Sequence, residues 1–342
     1  MKVAMYYAND DVRSEELERP KAGPGEAVMK VIASGLCGSD VMQWYRQDKV
    51  PLVLGHEVAG EVVEVGEGVT RLRPGDRIVA AHHVPCLECH YCKDGHESVC
   101  DTLRKTNFHP GGFAQYIRLP EINIDRGVFP MPGNMSYDEG TFVEPLACVL
   151  RAQKAGRVGP GKNVLIIGSG ISGVLHVALA KALGAGFVAA TDHVPYRLEA
   201  AKKAGASITI KAALDVPMAF TDASGGRGAD TVILTACTPP AIEQAFQTVD
   251  RGGTIVFFAP AREGEAIPLA VNDLFWKQEI TLTSTYAASP SEHMEAMALI
   301  SSSRVNVKDF ITHTLPLEQA QEGFKLVAEG KNSIKVIIRP NE

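Results

Sequence analysis

Apolar and polar positions obey two different rules along this chain. Up to about residue 130 they alternate over short stretches broken by glycine and proline, most clearly at 27–32 and 58–65. A period of two predicts half-buried antiparallel strands. Pro20, Gly23-Pro24-Gly25, the glycines at 66–68 and Pro74-Gly75-Asp76 mark their turns. From 161 to about 285 the alternation gives way to short continuous apolar runs at 164–167, 188–191, 208–210, 231–235, 254–258 and 280–284. Such runs, separated by stretches in helical period, predict parallel strands covered by helices on both faces. Helices are also expected from a capping box at Ser136 and Glu139, on to about Ala155, and over 291–303 and 317–329, before a last strand at 334–338. The first pattern predicts a compact β-barrel and the second a doubly wound sheet.

The run at 164–167 leads straight into GSGISG, where Gly168, Gly170 and Gly173 stand in G-x-G-x-x-G spacing around Ser169, Ile171 and Ser172. Val174, Leu175, Ala178, Leu179 and Leu183 then recur on one helical face, and the next apolar run ends at Asp192. Each position suits a dinucleotide. Gly168 permits the tight turn, Gly170 lets a pyrophosphate approach the backbone, and Gly173 lets the helix pack close to the strand. The helix start offers unpaired N–H groups and a positive dipole end. Asp192 stands where an acid accepts ribose hydroxyls, and it would repel a 2′-phosphate, which favours NAD over NADP. Arg197 is expected on the solvated outer face of the next helix; turned inward, it would tolerate a 2′-phosphate.

Composition narrows the partners. A length of 342 residues suggests two domains, and 45% hydrophobic with 22% charged residues is the balance of a soluble globular protein. A net charge of −6, a pI near 6.0 and no basic patch argue against nucleic acid. No apolar run reaches the roughly 18 residues that span a bilayer. The first residues turn acidic before a signal-like apolar core can form, so a cytoplasmic protein is expected.

Cysteine usage adds a metal. The 7 cysteines are odd in number, and Cys86, Cys89, Cys92 and Cys100 form a C-x2-C-x2-C-x7-C cluster. Clustered spacing without an export signal points to metal rather than disulfides. Four thiolates suit a closed tetrahedral zinc shell, and Glu88, Lys93, Asp94 and Glu97 make the segment too polar for a core of reduced cysteines. His90 and His96 are then surplus, and the metal braces a loop with little apolar content of its own.

Taken in order, seven motifs resemble the zinc-containing medium-chain dehydrogenase/reductase family of the alcohol dehydrogenase superfamily, in its sorbitol dehydrogenase-like and threonine dehydrogenase-like branch. They are GLCGSD at 35–40, GHEVAGEVVEVGEGV at 55–69, PGDRI at 74–78, the cysteine lobe at 86–100, GGFAQYI at 111–117, EPLA at 144–147 and GSGISG at 168–173. The resemblance implies an α/β fold. A GroES-like β-barrel catalytic domain would occupy 1–148 and carry the structural zinc lobe. An NAD-binding Rossmann doubly wound parallel sheet would occupy 149–285, and a C-terminal segment at 286–342 would complete the first domain. It implies Cys37 and His56 as catalytic zinc ligands, with Glu57 or Glu144 as the third, and hence two zinc ions per chain. A mixed donor set of this kind leaves a coordination position open and keeps the metal a useful Lewis acid. Asp40 would fix the tautomer of the zinc histidine.

By the same resemblance Ser39 opens the proton relay from the bound alcohol. Many members carry histidine three residues after this serine; here Met42 stands, which cannot carry a proton. The relay must then run through Tyr45, a ribose hydroxyl or water, or be shorter. Met42, Trp44 and Tyr45 fit either a substrate pocket or plain packing. The implied reaction is hydride transfer between a secondary alcohol or polyol and NAD, in the cleft between the domains, by a dimeric or tetrameric homo-oligomer. Two other readings stay open: an amino-alcohol dehydrogenase of the L-threonine type, and a zinc-free quinone reductase or non-catalytic NAD(P)-binding protein of the same fold. Cys37, His56 and Glu144 speak against the last, since zinc-free relatives generally lose these ligands.

Overall fold

Glycine and proline breaks turn the alternating stretches of the first part into antiparallel strands. The computed structural model describes residues 1–342. They divide into two units, Met1–Ala147 with Ala287–Glu342, and Cys148–Tyr286.

In the first unit the strand Ala27–Gly35 is the hub. It pairs antiparallel with Glu57–Val65, with Tyr116–Leu119 and with Lys335–Arg339 from the end of the chain. The register sets Gly35 opposite Glu57 on one side and opposite Ile337 on the other. A Cβ at Gly35 would strike the side chains of both Glu57 and Lys335, so glycine here makes room for them to meet. Two apolar clusters carry the unit. Met29, Val31, Val58, Ile78, Phe108 and Ile117 fill one. Tyr6, Phe113, Phe324, Val336 and Ile338 fill the other, where the first strands meet the last helix and strand.

The second unit is a six-stranded sheet with every pairing parallel. The strands lie in the order Ile208–Lys211, Phe187–Asp192, Asn163–Ile167, Ala229–Leu234, Val249–Phe257, Thr281–Ser284. The central strand Asn163–Ile167 is buried at every residue, as a strand covered on both faces must be. The order reverses beside it, the arrangement in which doubly wound sheets form a ligand crevice at their strand ends.

Some edges differ from the expected ones for local reasons. The strand Val249–Phe257 starts in the polar stretch ahead of its apolar run, because Val249 pairs with Ala229. The chain at 317–329 opens as a 3-10 turn, Leu317–Gln319, before the helix Ala320–Glu329. Ser136 does cap, and Glu139 reaches back to its amide at 2.9 Å, but the capped helix Tyr137–Gly140 is one turn long and a second, Val143–Ala155, follows. No helix is long and apolar enough to cross a membrane.

The last helix is expected to be integral to the first unit. Phe324 is fully buried, with its ring 5.4 Å from Tyr6 and 5.7 Å from Phe113. Phe324→Ala should cost about 3–5 kcal/mol of unfolding free energy, read from denaturant titration. A cost under about 1 kcal/mol would mean the tail is only loosely docked.

Candidate active site

Strand register builds the first cluster. Ala27–Gly35 delivers Cys37 at the mouth of a 3-10 turn, Gly38–Val41, while His56 immediately precedes the neighbouring strand Glu57–Val65. Their pairing brings the Cys37 sulfur, a His56 nitrogen and a Glu57 carboxylate oxygen within 4.8 Å of one another. Asp40, fully buried on the turn, accepts the Cys37 amide at 3.0 Å and faces His56 Nδ1 at 3.4 Å. The Arg46 guanidinium stands 3.8 Å from the same carboxylate. Burial opposes charge on both Asp40 and His56, but their mutual attraction prevails. Asp40 is held below its usual range, and Asp40 with the Cys37 sulfur raises His56 well above its own. With Nδ1 turned to Asp40, Nε2 is the nitrogen left for a metal.

Glu57 is buried and forms an ion pair with fully buried Lys335, whose ammonium also lies 5.3 Å from the Phe142 ring. Glu144 is buried in the first turn of Val143–Ala155 and is not among the converging ligand atoms. Ser39 is half-buried on the 3-10 turn, and Met42 follows it. Trp44 and Tyr45 are exposed on a short helix, their rings 5.9 Å apart.

Three histidines stand here that sequence reasoning passed over. The His82 ring lies 4.8 Å from that of His56 and 3.9 Å from that of His83. His83 Nδ1 donates to the Thr106 carbonyl at 2.7 Å. His293, on the helix Pro290–Ser301, stacks on Phe129 with ring centres 5.3 Å apart. A His-His pair just ahead of the first lobe cysteine was a visible signal; nothing in the sequence marked His293.

The second cluster is the lobe, where Cys86, Cys89, Cys92 and Cys100 converge with sulfur separations such as 3.5 Å for Cys89–Cys92 and for Cys86–Cys100. Burial pushes the Cys92 thiol up to about 12. Burial opposes the Cys100 thiolate as well, yet amides led by that of Cys86 pull this thiol down to about 6. Four thiolates cannot share this space without a cation, so the donor set fits zinc. His90 and His96 stay outside it.

In the second unit the glycine loop follows the central strand. Gly168 has φ +98°, and a Cβ at Gly173 would overlap the Gly168 carbonyl, so neither position accepts a side chain. Ile171 and Ser172 open the helix Ile171–Ala182, with Gly170 as its N-cap. Asp192, buried at the end of Phe187–Asp192, accepts the Ser169 amide at 2.8 Å and the Val194 amide at 2.9 Å. Arg197 differs from expectation. It is not solvated on the outer face; its Nη1 lies 3.9 Å from the Asp192 carboxylate, its guanidinium packs beside Gly170, and its Nε is buried. The carboxylate draws it inward.

The model of the alcohol dehydrogenase GroES-like domain matches residues 23–132, and that of the zinc-binding dehydrogenase domain matches 173–302. The chain is similar to the sorbitol dehydrogenase of Bacillus subtilis (strain 168), 32% identical over 352 residues that cover 100% of this chain and 98% of that protein. Among solved structures it is similar to an Escherichia coli oxidoreductase/dehydrogenase of unknown specificity, 29% identical with TM-score 0.89 over 100% of this chain and 99% of that one. It is also similar to a zinc-binding dehydrogenase of Sinorhizobium meliloti 1021 bound to NADP, 27% identical with TM-score 0.88 over 99% of each chain. Matched at both domains and along its whole length, the chain belongs to the zinc-containing medium-chain dehydrogenase/reductase family of the alcohol dehydrogenase superfamily and is an oxidoreductase of that family.

Proposed function

We propose that this chain is an NAD-dependent zinc dehydrogenase acting on the CH–OH group of a secondary alcohol or polyol. The convergence of Cys37, His56 and Glu57 at one point carries the reading. A thiolate, an imidazole and a carboxylate form the mixed donor set of a catalytic rather than a structural site. Bound there, zinc would supply a Lewis acid for the substrate oxygen, and the dinucleotide would accept the hydride.

The chain's own groups do the rest. Asp40 holds His56 in the tautomer that leaves Nε2 for the metal. Cys37, His56 and Glu57 hold the catalytic ion, and Glu144 is the alternative third donor. Ser39 Oγ takes the hydroxyl proton of the substrate, and because Met42 cannot relay it, Tyr45, a ribose hydroxyl or water passes it on. Cys86, Cys89, Cys92 and Cys100 hold a second, structural zinc.

The nucleotide is held by Gly168, Gly170 and Gly173 with the amides around Ile171 and Ser172. Asp192 favours NAD. Its two oxygens already accept amides, but a carboxylate offers about four lone-pair sites, enough for ribose hydroxyls as well. Arg197 beside it neutralises part of that charge and sets how strongly NADP is rejected.

Assembly and location follow from other features. The edge strand Thr281–Ser284 has a neighbour on one side only, and Val271 and Trp276 near it are 63% and 65% exposed. An open edge with exposed apolar side chains supports pairing between copies of the chain. Seven cysteines without a bridge support a cytoplasmic setting.

A screen of secondary alcohols, polyols and L-threonine for NADH formation tests the reading; no turnover of any hydroxyl compound by zinc-replete protein would sink it. Cys37→Ser should lower kcat by about a thousandfold or more while NAD binding persists, and metal analysis should fall from about two zinc per chain to about one. Cys89→Ser should lose the other ion and lower the thermal midpoint, with ligands at the first cluster unchanged. Asp192→Ala should narrow the preference for NAD over NADP by about tenfold or more, measured as the ratio of kcat/KM values, and an unchanged ratio would remove Asp192 from cofactor choice.

A further inference from the structure

The helix Gln43–Arg46 is one turn long, and Gln43, Trp44 and Tyr45 on it are exposed. Arg46 is the exception. Its side chain is 15% exposed and reaches back to the 3-10 turn Gly38–Val41. Nε donates to the Ser39 carbonyl at 3.2 Å, and Nη2 lies 3.8 Å from Asp40 Oδ1. The guanidinium also lies over the Tyr45 ring, 4.8 Å from its centre. No step of the proposed reaction uses this cation.

Tying two segments together does not account for this geometry. Where the chain uses an arginine for that purpose, the fork meets one carboxylate: Arg339 reaches Asp138 with Nη2 at 2.6 Å and Nε at 3.3 Å. Such a bidentate pair is the stronger contact. Arg46 instead divides its fork between consecutive residues, a backbone carbonyl and a carboxylate, and so fixes each relative to the other. Both matter to the site. Asp40 Oδ2 accepts the Cys37 amide at 3.0 Å, while Oδ1 is buried without a hydrogen bond and faces His56 Nδ1 at 3.4 Å as well as Arg46. The far end of the turn has its own tether, because Asn9 donates to the Val41 carbonyl at 2.9 Å. The peptide between Ser39 and Asp40 is left to Arg46 and, at 3.4 Å, to the Met42 amide.

We propose that Arg46 is a positioning residue of the dehydrogenase: its guanidinium locks the Ser39 peptide to the Asp40 carboxylate, so that the residue taking the substrate proton and the residue orienting the zinc histidine keep one fixed relation. The inference rests on the dehydrogenase reading above and deepens it. Arg46 touches neither substrate nor metal and acts only through Ser39 and Asp40. Lysine cannot replace it fully, because an ammonium is a point charge without a planar fork. The effect is large enough to measure. A misplacement of about 1 Å near reacting groups can cost about a hundredfold in rate. Losing an outer partner of a metal histidine costs about ten- to a hundredfold in metal affinity or activity.

The test uses Arg46→Met, which keeps a long apolar stem beside Tyr45, and Arg46→Lys, which keeps the charge. With zinc-loaded enzyme, NAD and the best alcohol from the screen, Arg46→Met should lower kcat about tenfold or more and leave the KM for NAD unchanged. Arg46→Lys should recover part of the loss. Added to Asp40→Asn, Arg46→Met should cost clearly less than it does alone, since one of its two partners is already gone. A further readout needs no turnover. Co2+ titrated into protein whose lobe keeps its zinc should bind at Cys37 and His56 about tenfold more weakly in Arg46→Met, read from its visible absorption bands. An unchanged kcat, full additivity with Asp40→Asn, or unchanged Co2+ binding would each overturn the positioning role and leave the dehydrogenase reading intact. Absence of turnover by the unmodified enzyme would overturn that reading instead, and the Co2+ titration would still decide whether Arg46 holds the ligands in place.

Discussion

The buried ion pair between Glu57 and Lys335 depends on three strands at once and ties the first unit together. Glu57 begins one strand, Lys335 begins the last strand of the chain, and Gly35 of the strand between them leaves the space in which they meet. Such a pair contributes little net stability relative to an apolar replacement, but losing one partner strands a charge in the interior at a cost of about 3–5 kcal/mol. It therefore penalises any register in which the first and last thirds of the chain are misaligned. A one-residue slip would move Glu57 to the other face of its strand. It would also carry His56 away from Cys37.

The same charge accounting shapes the metal site. Glu57, Asp40 and the Cys37 sulfur crowd one small volume, with Lys335 and Arg46 as the fixed cations and His56 as a third when protonated. Lys335 answers Glu57, and Arg46 and His56 share Asp40. Asp40 first, and the Cys37 sulfur after it, favour the His56 imidazolium over the neutral ring. A divalent cation bound there would take the Cys37 sulfur and the His56 nitrogen as ligands in place of that proton. The four-cysteine lobe meets the same need differently, with four thiols, no cationic side chain among them and split proton affinities.

Much of this was legible in the chain, for identifiable reasons. The six parallel strands show as apolar runs because each is covered on two faces, so the pattern needs no knowledge of neighbours. The glycine loop and the cysteine lobe are local, with their parts a few residues apart. Which carboxylate converges on Cys37 and His56 was not legible. Glu57 and Glu144 both stood open, and what brings Glu57 to Cys37 is strand register, which no periodicity records. Lys335 could not be paired with Glu57 from sequence, since the partners lie at opposite ends of the chain. His293 escaped for the same reason: a helix after residue 287 returns to the first unit and places its histidine by tertiary packing alone. Arg197 was misjudged because helical period says which residues share a face, but not which way a long cation bends when a carboxylate lies a turn away.

In the proposed reading Asp192 serves the fold and the ligand together. Its carboxylate accepts amides on both sides of the turn, one from the glycine loop and one from the start of the next helix. The loop proposed to receive phosphate is thereby pinned to the residue proposed to read the ribose. Arg197 adds a cation to that carboxylate without a close hydrogen bond, so it can tune the local charge without displacing the amides. Cofactor choice in this chain would then be a balance between one anion that anchors two amides and one cation held beside it at 3.9 Å. Changes in nucleotide preference should for that reason be easier to reach at Arg197 than at Asp192.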